Sequence, residues 1–347
     1  MDFVNVFGQQ ALVKGFARLS LLLLGAAWFP SLYGQSAGAD GPVYREVKWP
    51  LEAQTARGTP SPWFFGEVAA VATTREGNIV VLHRGAHPIM EFAPTGKFLR
   101  SWGDGMISEG KVTRVEAQHR APGTSGYAAV YGAAGCSACG AHSVRVDPQG
   151  NVWVVDATAH VIYKMSAPGA RDFAARHQVI LQLGTKGVSG ADATHFNLPT
   201  DVAFAPNGDI YVSDGYGNAR VVKYAPDGKY LSAWGKRGTG LGEFELPHNL
   251  AVDAQGRVYV TDRDNQRIQI FDAQGKFLDQ WKDVGGVSTL LMTPNQQIWT
   301  GGVLRNLQGD IVARLPGNPG GHGTTVTESG DVFVAQLSRV VQKFAKE

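Results

Sequence analysis

Residues Leu246–Trp281 read LPHNLAVDAQGRVYVTDRDNQRIQIFDAQGKFLDQW, and the fold follows from where that line is cut. Runs of four to six residues rich in Val, Ile, Tyr and Phe alternate with Gly, Asp and Asn. That is the pattern of short strands separated by tight turns. The order is an apolar strand, a turn at Gly256, a strand ending at Asp262, a polar loop, a third strand, a turn at Gly275 and a fourth strand ending at Trp281. Leu198–Trp234 repeats it with Gly208, Asp214, Gly228 and Trp234. Four short antiparallel strands in a unit of about forty residues predict one blade of a β-propeller.

Working outward, degenerate copies fill the chain. One runs from Val68 through Gly77, His83 and Gly96 to Trp102, and another from His142 through Gly150 and Asp156 to Leu183. A third, near Ser288 to Leu315, has Gln296 where the turn glycine stands elsewhere. The last begins at His322 and reaches three strands before Glu347, while Val43–Trp49 (VYREVKW) alternates as a strand should. A strand from each end in one blade leaves no open sheet edge. The expectation is an all-β, six-bladed propeller over 40–347, closed by an N-terminal strand, with an insertion at about 103–135 that has no counterpart in the repeat. With 44 glycines and 18% charged residues, composition agrees with turn-punctuated strands.

Residues 1–39 read as a signal peptide. Lys14 and Arg18 precede an apolar run from Leu19 to Phe29, followed by small residues at Ser36–Ala39. The run is short for a membrane span, so a secreted or periplasmic protein with no integral membrane association after cleavage is expected. Cys136 and Cys139 suit a local disulfide in an oxidising compartment. A net charge of +2 with no Lys/Arg cluster gives nucleic acid no electrostatic footprint.

Three histidines share one slot of the repeat. His142, His248 and His322 each lie eight residues before a turn glycine (Gly150, Gly256, Gly330). They fall in blades two, four and six, and Ala69, Thr200 and Ser288 hold the slot in blades one, three and five. The slot opens the innermost strand, so three imidazoles are expected to converge on the axis from alternate blades. Three protein ligands with an open position is the pattern of a catalytic zinc site. The loop after each second strand returns to the same face. It carries Arg84 in blade one, Tyr216 in blade three and Arg263 in blade four. Guanidiniums suit a carboxylate, and a phenol beside a cation can serve as a base. Each has a plainer reading: Tyr216 as packing, Arg263 as a brace on Asp262. Arg220 is expected to brace Asp214, and Asp156, Asp214 and Asp262 to organise turns.

These residues carry a resemblance. From about Phe64 onward the chain resembles NHL-repeat propellers, and among them peptidyl-α-hydroxyglycine α-amidating lyase. The motifs are HRG at His83–Gly85, a histidine at His142, FNLPTD at Phe196–Asp201, SDGY at Ser213–Tyr216, LPH at Leu246–His248, DR at Asp262–Arg263, and His322. The resemblance implies a zinc ion on His142, His248 and His322, the substrate carboxylate on Arg84 and Arg263, and a catalytic pair of Arg84 and Tyr216, with proton transfer by Tyr216. The implied reaction splits N–CH(OH)–COO⁻ into an amide and glyoxylate. Departures from the family pattern are Gly217 in place of a disulfide cysteine, Ala86 after HRG, and Gly320-Gly321-His322-Gly323 in place of Met-Pro-His-Asp. The last removes a calcium ligand and a methionine lining the site. Calcium is therefore implied by the resemblance but lacks its aspartate here.

The expected partner is a small-molecule or peptide-derived substrate, met by a monomer. Two other readings stand beside the lyase: lactone or ester hydrolysis on the same three histidines, and a non-enzymatic binding propeller.

Overall fold

The structure is a computed structural model that describes residues 41–51, 55–56, 59–60, 65–85, 87–108, 140–166, 178–282 and 284–347. The expected signal peptide, both cysteines and most of the 103–135 insertion lie outside the described residues. Of the insertion, Gly103–Ile107 forms a turn, and the Ser108 amide donates to Asp156 Oδ2 at 2.7 Å. Among the described residues no helix is long and apolar enough to cross a membrane.

Six four-stranded antiparallel sheets form the blades. Their innermost strands are Val68–Thr73, Ala141–Val146, Asp201–Phe204, Pro247–Val252, Leu290–Met292 and Gly323–Val326. These pack in sequence around the axis, and the last returns to the first. In blade six, Tyr44–Val47 pairs with Val340–Lys346, with Tyr44 opposite Lys346, as the sequence predicts. Just beyond that strand, Trp49 sets its ring against Phe92 and Phe333, tying the seam between blades six and one.

The core is not one mass but six layers, each between neighbouring blades. Residues that alternate along a strand point to opposite neighbours. In Val152–Asp156, Trp153 and Val155 pack against blade three, while Val152 and Val154 pack against blade one. In Ile210–Asp214, Tyr211 turns to blade four, and Ile210 and Val212 to blade two. The second strands IVVLH, VWVVD, IYVSD and VYVTD are therefore buried along their full length. Each apolar side chain so buried contributes about 1.5–3 kcal/mol.

The turns explain the punctuation. Gly256 holds φ +80°, which glycine adopts without steric cost. In blade five Gln296 takes the same place at φ +58°, and its Oε1 accepts the Ala254 amide of blade four at 2.7 Å. The missing glycine is replaced by a strained residue held from the next blade.

Candidate metal centre

The histidine slot is a β-bulge. Ala141 pairs with Asp156 and Ser143 with Val155, so His142 is the extra residue. Between Pro247 opposite Asp262 and Leu250 opposite Val260, blade four also carries one residue too many, which includes His248. In blade six the His322 amide donates to the Ala335 carbonyl, which already faces Gly323. A bulge bends the strand and re-aims one side chain; here that turns each imidazole away from the blade interfaces to the axis.

The three rings meet with centroids 4.7–5.1 Å apart. One ligand atom from each falls within 4.8 Å of the others. Every Nδ1 is held by a neighbouring blade. His142 Nδ1 donates to the Thr200 carbonyl at 2.6 Å, His248 Nδ1 to the Ser288 carbonyl at 3.0 Å, and His322 Nδ1 to the Ala69 carbonyl at 2.7 Å. These acceptors are the slot residues of the three blades that lack histidine. Because Nδ1 carries the proton, Nε2 presents a lone pair toward the axis, the arrangement that orients metal-binding histidines.

Those lone pairs are poorly served by protons. The Tyr216 hydroxyl lies 3.1 Å from His142 Nε2 and 3.2 Å from His248 Nε2, and one hydroxyl proton serves both. Among the described residues His322 Nε2 makes no hydrogen bond. Burial keeps all three neutral. His142 lies well below the usual histidine range through desolvation and then the other two imidazoles; His248 does so through desolvation and then Arg263. Desolvation and the Arg84 charge lower His322 to about 3. Three neutral, pre-oriented imidazoles with converging acceptors fit a divalent ion that takes nitrogen ligands.

The two arginines flank the group. Arg84 donates from Nε to the Ala141 carbonyl at 3.1 Å and from Nη1 to Glu67 at 2.8 Å. Among the described residues its Nη2 makes no hydrogen bond. Arg263 does not brace Asp262; its Nε donates to Asp264 at 3.0 Å, and its guanidinium sits 5.9 Å from the Tyr216 ring. Burial opposes the charge on Arg263, but Tyr216 and Asp264 outweigh it and its pKa lies above the ordinary value. Asp262 is taken instead by Arg267 at 2.8 Å and by the Glu245 amide at 2.9 Å. Arg220 braces Asp214 at 2.9 Å, as expected. Ala157, Leu198 and Leu246 form an apolar collar beside Tyr216.

The glycines around the site have steric reasons. A Cβ on Gly215 would strike the Pro247 carbonyl, and one on Gly217 would strike Asn197, so no cysteine fits there. Gly320 and Gly321 hold φ +62° and +78°, which a Met-Pro pair cannot follow, yet His322 still reaches the group. A Cβ on Gly323 would lie 2.7 Å from the Ala70 Cα, so an aspartate has no room. The carboxylate present on this part of the axis, Asp201, is already ion-paired to Arg145 at 2.5 Å. The residues therefore do not fit the implied calcium.

The sequence reading missed Arg145, Asp201 and Asn249. The signal for two of them was a polar column immediately after the slot: Ser143, Asp201, Asn249 and Thr289, all buried.

Fold and site together define an NHL-repeat propeller with a buried three-histidine group able to hold a metal ion. The NHL repeat model matches residues 196–224 and 244–271. The chain is homologous to amidating-lyase domains. It is 32% identical over 246 residues to mouse peptidyl-glycine alpha-amidating monooxygenase, covering 68% of this chain and 24% of that protein. It is 29% identical over 211 residues to the Caenorhabditis elegans protein named "Probable peptidyl-alpha-hydroxyglycine alpha-amidating lyase", covering 60% of this chain and 56% of that one. The chain thus spans about a quarter and about half of these two relatives. Mouse NHL repeat-containing protein 3 also matches, at 28% over 304 residues, 80% of this chain and 77% of that protein. A streptogramin B lyase structure superimposes with TM-score 0.53 at 13% identity, over 88% of this chain and 98% of that one, and shows the fold alone.

Proposed function

We propose that this protein is a zinc-dependent lyase of the amidating-lyase type, cleaving the C–N bond of an α-hydroxyglycine-like carbinolamide to an amide and glyoxylate. The observation that carries it is the Tyr216 hydroxyl, set against two of three pre-oriented imidazoles at 3.1 and 3.2 Å with Arg84 and Arg263 on either side. A zinc ion on His142, His248 and His322 would supply Lewis acidity to the substrate oxygen.

The chain's own residues supply the rest. Arg84 and Arg263 bind the substrate carboxylate and fix the carbinol carbon near the axis. Tyr216, in its phenolate form once the imidazoles hold metal and with the Arg263 charge beside it, accepts the carbinol proton. The electron pair left on oxygen forms the carbonyl of glyoxylate, the C–N bond breaks, and the proton ends on the amide nitrogen. The apolar collar of Leu198 and Leu246 excludes water from that side.

Lactone or ester hydrolysis on the same site is the second reading. The refolded approach to His322 through Gly320 and Gly321 favours keeping it, because it changes the shape of the wall facing the substrate. We further place the protein outside the cytoplasm, on the strength of the basic and apolar pattern of residues 1–39. The test is direct: protein stripped of metal and reconstituted with zinc is given α-hydroxyhippurate. Release of glyoxylate is expected; its absence across several carbinolamides, with zinc bound, removes the lyase reading.

A further inference from the structure

Beneath the histidines the channel is closed by a charge. Arg145 leaves the inner strand of blade two and donates to Asp201 of blade three through Nε at 3.0 Å and Nη2 at 2.5 Å. The same Nη2 donates to the Leu290 carbonyl at 2.9 Å. Leu290 lies in blade five, opposite blade two, so the guanidinium crosses the axis. Asp201 is fully buried. It also accepts the Ser143 hydroxyl at 2.5 Å, the Asn249 side-chain amide at 2.6 Å and the Leu250 amide at 3.3 Å.

This network leads upward to two of the three imidazoles. Asn249 donates to Asp201 through Nδ2, and its Oδ1 accepts the His248 Nδ1 proton at 2.9 Å. Asp201 follows Thr200, whose carbonyl accepts the His142 Nδ1 proton, and Ser143 follows His142. With the amide of Asn249 given to Asp201, its oxygen is left to face His248; the carboxylate thereby fixes which way Asn249 is turned. His322 stands apart, held by Ala69.

We propose that Arg145 is a positioning residue: a built-in cation that, through Asp201, turns Asn249 so that its oxygen reinforces the Nδ1–H of His248. It occupies the axis with a covalently attached charge, and no second, hard metal ion is needed there. The inference rests on the three-histidine metal reading and concerns how the ligands are set, not what the metal does.

The test uses full-length protein and the variants Arg145→Met and Arg145→Lys. Long-range proton–nitrogen spectra of histidine-labelled, metal-free protein report each tautomer, and chelator competition reports zinc affinity. In Arg145→Met, the His248 Nδ1–H signal is expected to shift and broaden while those of His142 and His322, each held by a main-chain carbonyl alone, do not, and zinc affinity to fall by about 10–100-fold. Arg145→Lys, which keeps the charge but loses the bidentate fork, should fall between. Calcium at millimolar concentration should not raise the melting temperature of the wild type. A wild-type His248 signal and wild-type zinc affinity in Arg145→Met overturn the proposal, as does stabilisation of the wild type by calcium. If the Met variant does not fold, the Lys variant is read by the same two criteria, and unchanged values overturn it. Neither readout needs turnover, so a protein that cleaves no carbinolamide yet shows these shifts leaves the role of Arg145 standing.

Discussion

His142 of blade two gives its Nδ1 proton to the Thr200 carbonyl of blade three across 2.6 Å, and so the blade without a histidine sets the histidine of the blade beside it. The same pairing joins His248 to Ser288 and His322 to Ala69. The six slots thus act as three donor–acceptor couples. The ring closure that completes the fold is also what brings His322 against Ala69.

The first prediction concerns the metal. Purified without chelator, the wild type should hold about one zinc per chain, the count of a three-histidine site with an open position. His248→Ala should lose it while keeping a cooperative melt. Equal metal content in the two proteins would show that the ion sits elsewhere.

Tyr216→Phe separates the two enzymatic readings. The variant keeps ring packing against Leu198 and Leu246 and keeps the ligands. Carbinolamide cleavage should fall by about 10²–10⁴-fold, the range for loss of a general base. A hydrolase driven by activated water would keep most of its rate.

A third prediction isolates stability from chemistry. Asp262 is fully buried and its Oδ2 takes Arg267 at 2.8 Å. Arg267→Met leaves that buried carboxylate with amide donors but no ion-pair partner, which costs about 3–5 kcal/mol. Denaturant unfolding should show the loss, and zinc content of the folded fraction should not change.

Metal-free protein should also weaken in acid. Desolvation lowers His83 to about 4, lowers His322 to about 3, and puts His142 and His248 well below their usual range. A depressed folded pKa means the unfolded chain takes up protons first as pH falls through 6.5. Each histidine then withdraws about 1.4 kcal/mol of stability per pH unit until its folded pKa is reached. Asp214, raised to about 6 by burial, runs the other way between there and 3.8 and offsets one of the four. Calorimetry from pH 7 to 4.5 should show a falling melting temperature; a flat profile would contradict the buried, neutral assignment.

Much of this was legible in the chain. Turn glycines and strand-ending aspartates marked the blades, because left-handed turns and amide capping demand those residue types. Equal spacing to Gly150, Gly256 and Gly330 put three histidines on one ring. What escaped was set by neighbours in space. The bulge that aims His142 depends on one residue of register against Asp156 and Val155. Arg84 follows His83, where blades two to four have an Asp, and its carboxylate, Glu67, arrives instead from the preceding loop. Arg263 chose Asp264 over Asp262 because Arg267, from the third strand, already occupied the latter. Arg145 escaped notice, since nothing in a linear repeat says that blade two looks across the axis at blade five.

The pairing of Tyr44 with Lys346 has a consequence for how the molecule comes into being. Synthesis runs from one end, so five blades can take shape while the sixth still waits for its last strand. Until Gly323–Val326 emerges, the inner strand of blade one lacks its neighbour, and Ala69 has no His322 to receive. The metal site therefore cannot assemble before His322 is made, and a ribosome stalled ahead of it leaves an open arc with exposed sheet edges, a substrate for chaperones and proteases rather than a weaker version of the same protein.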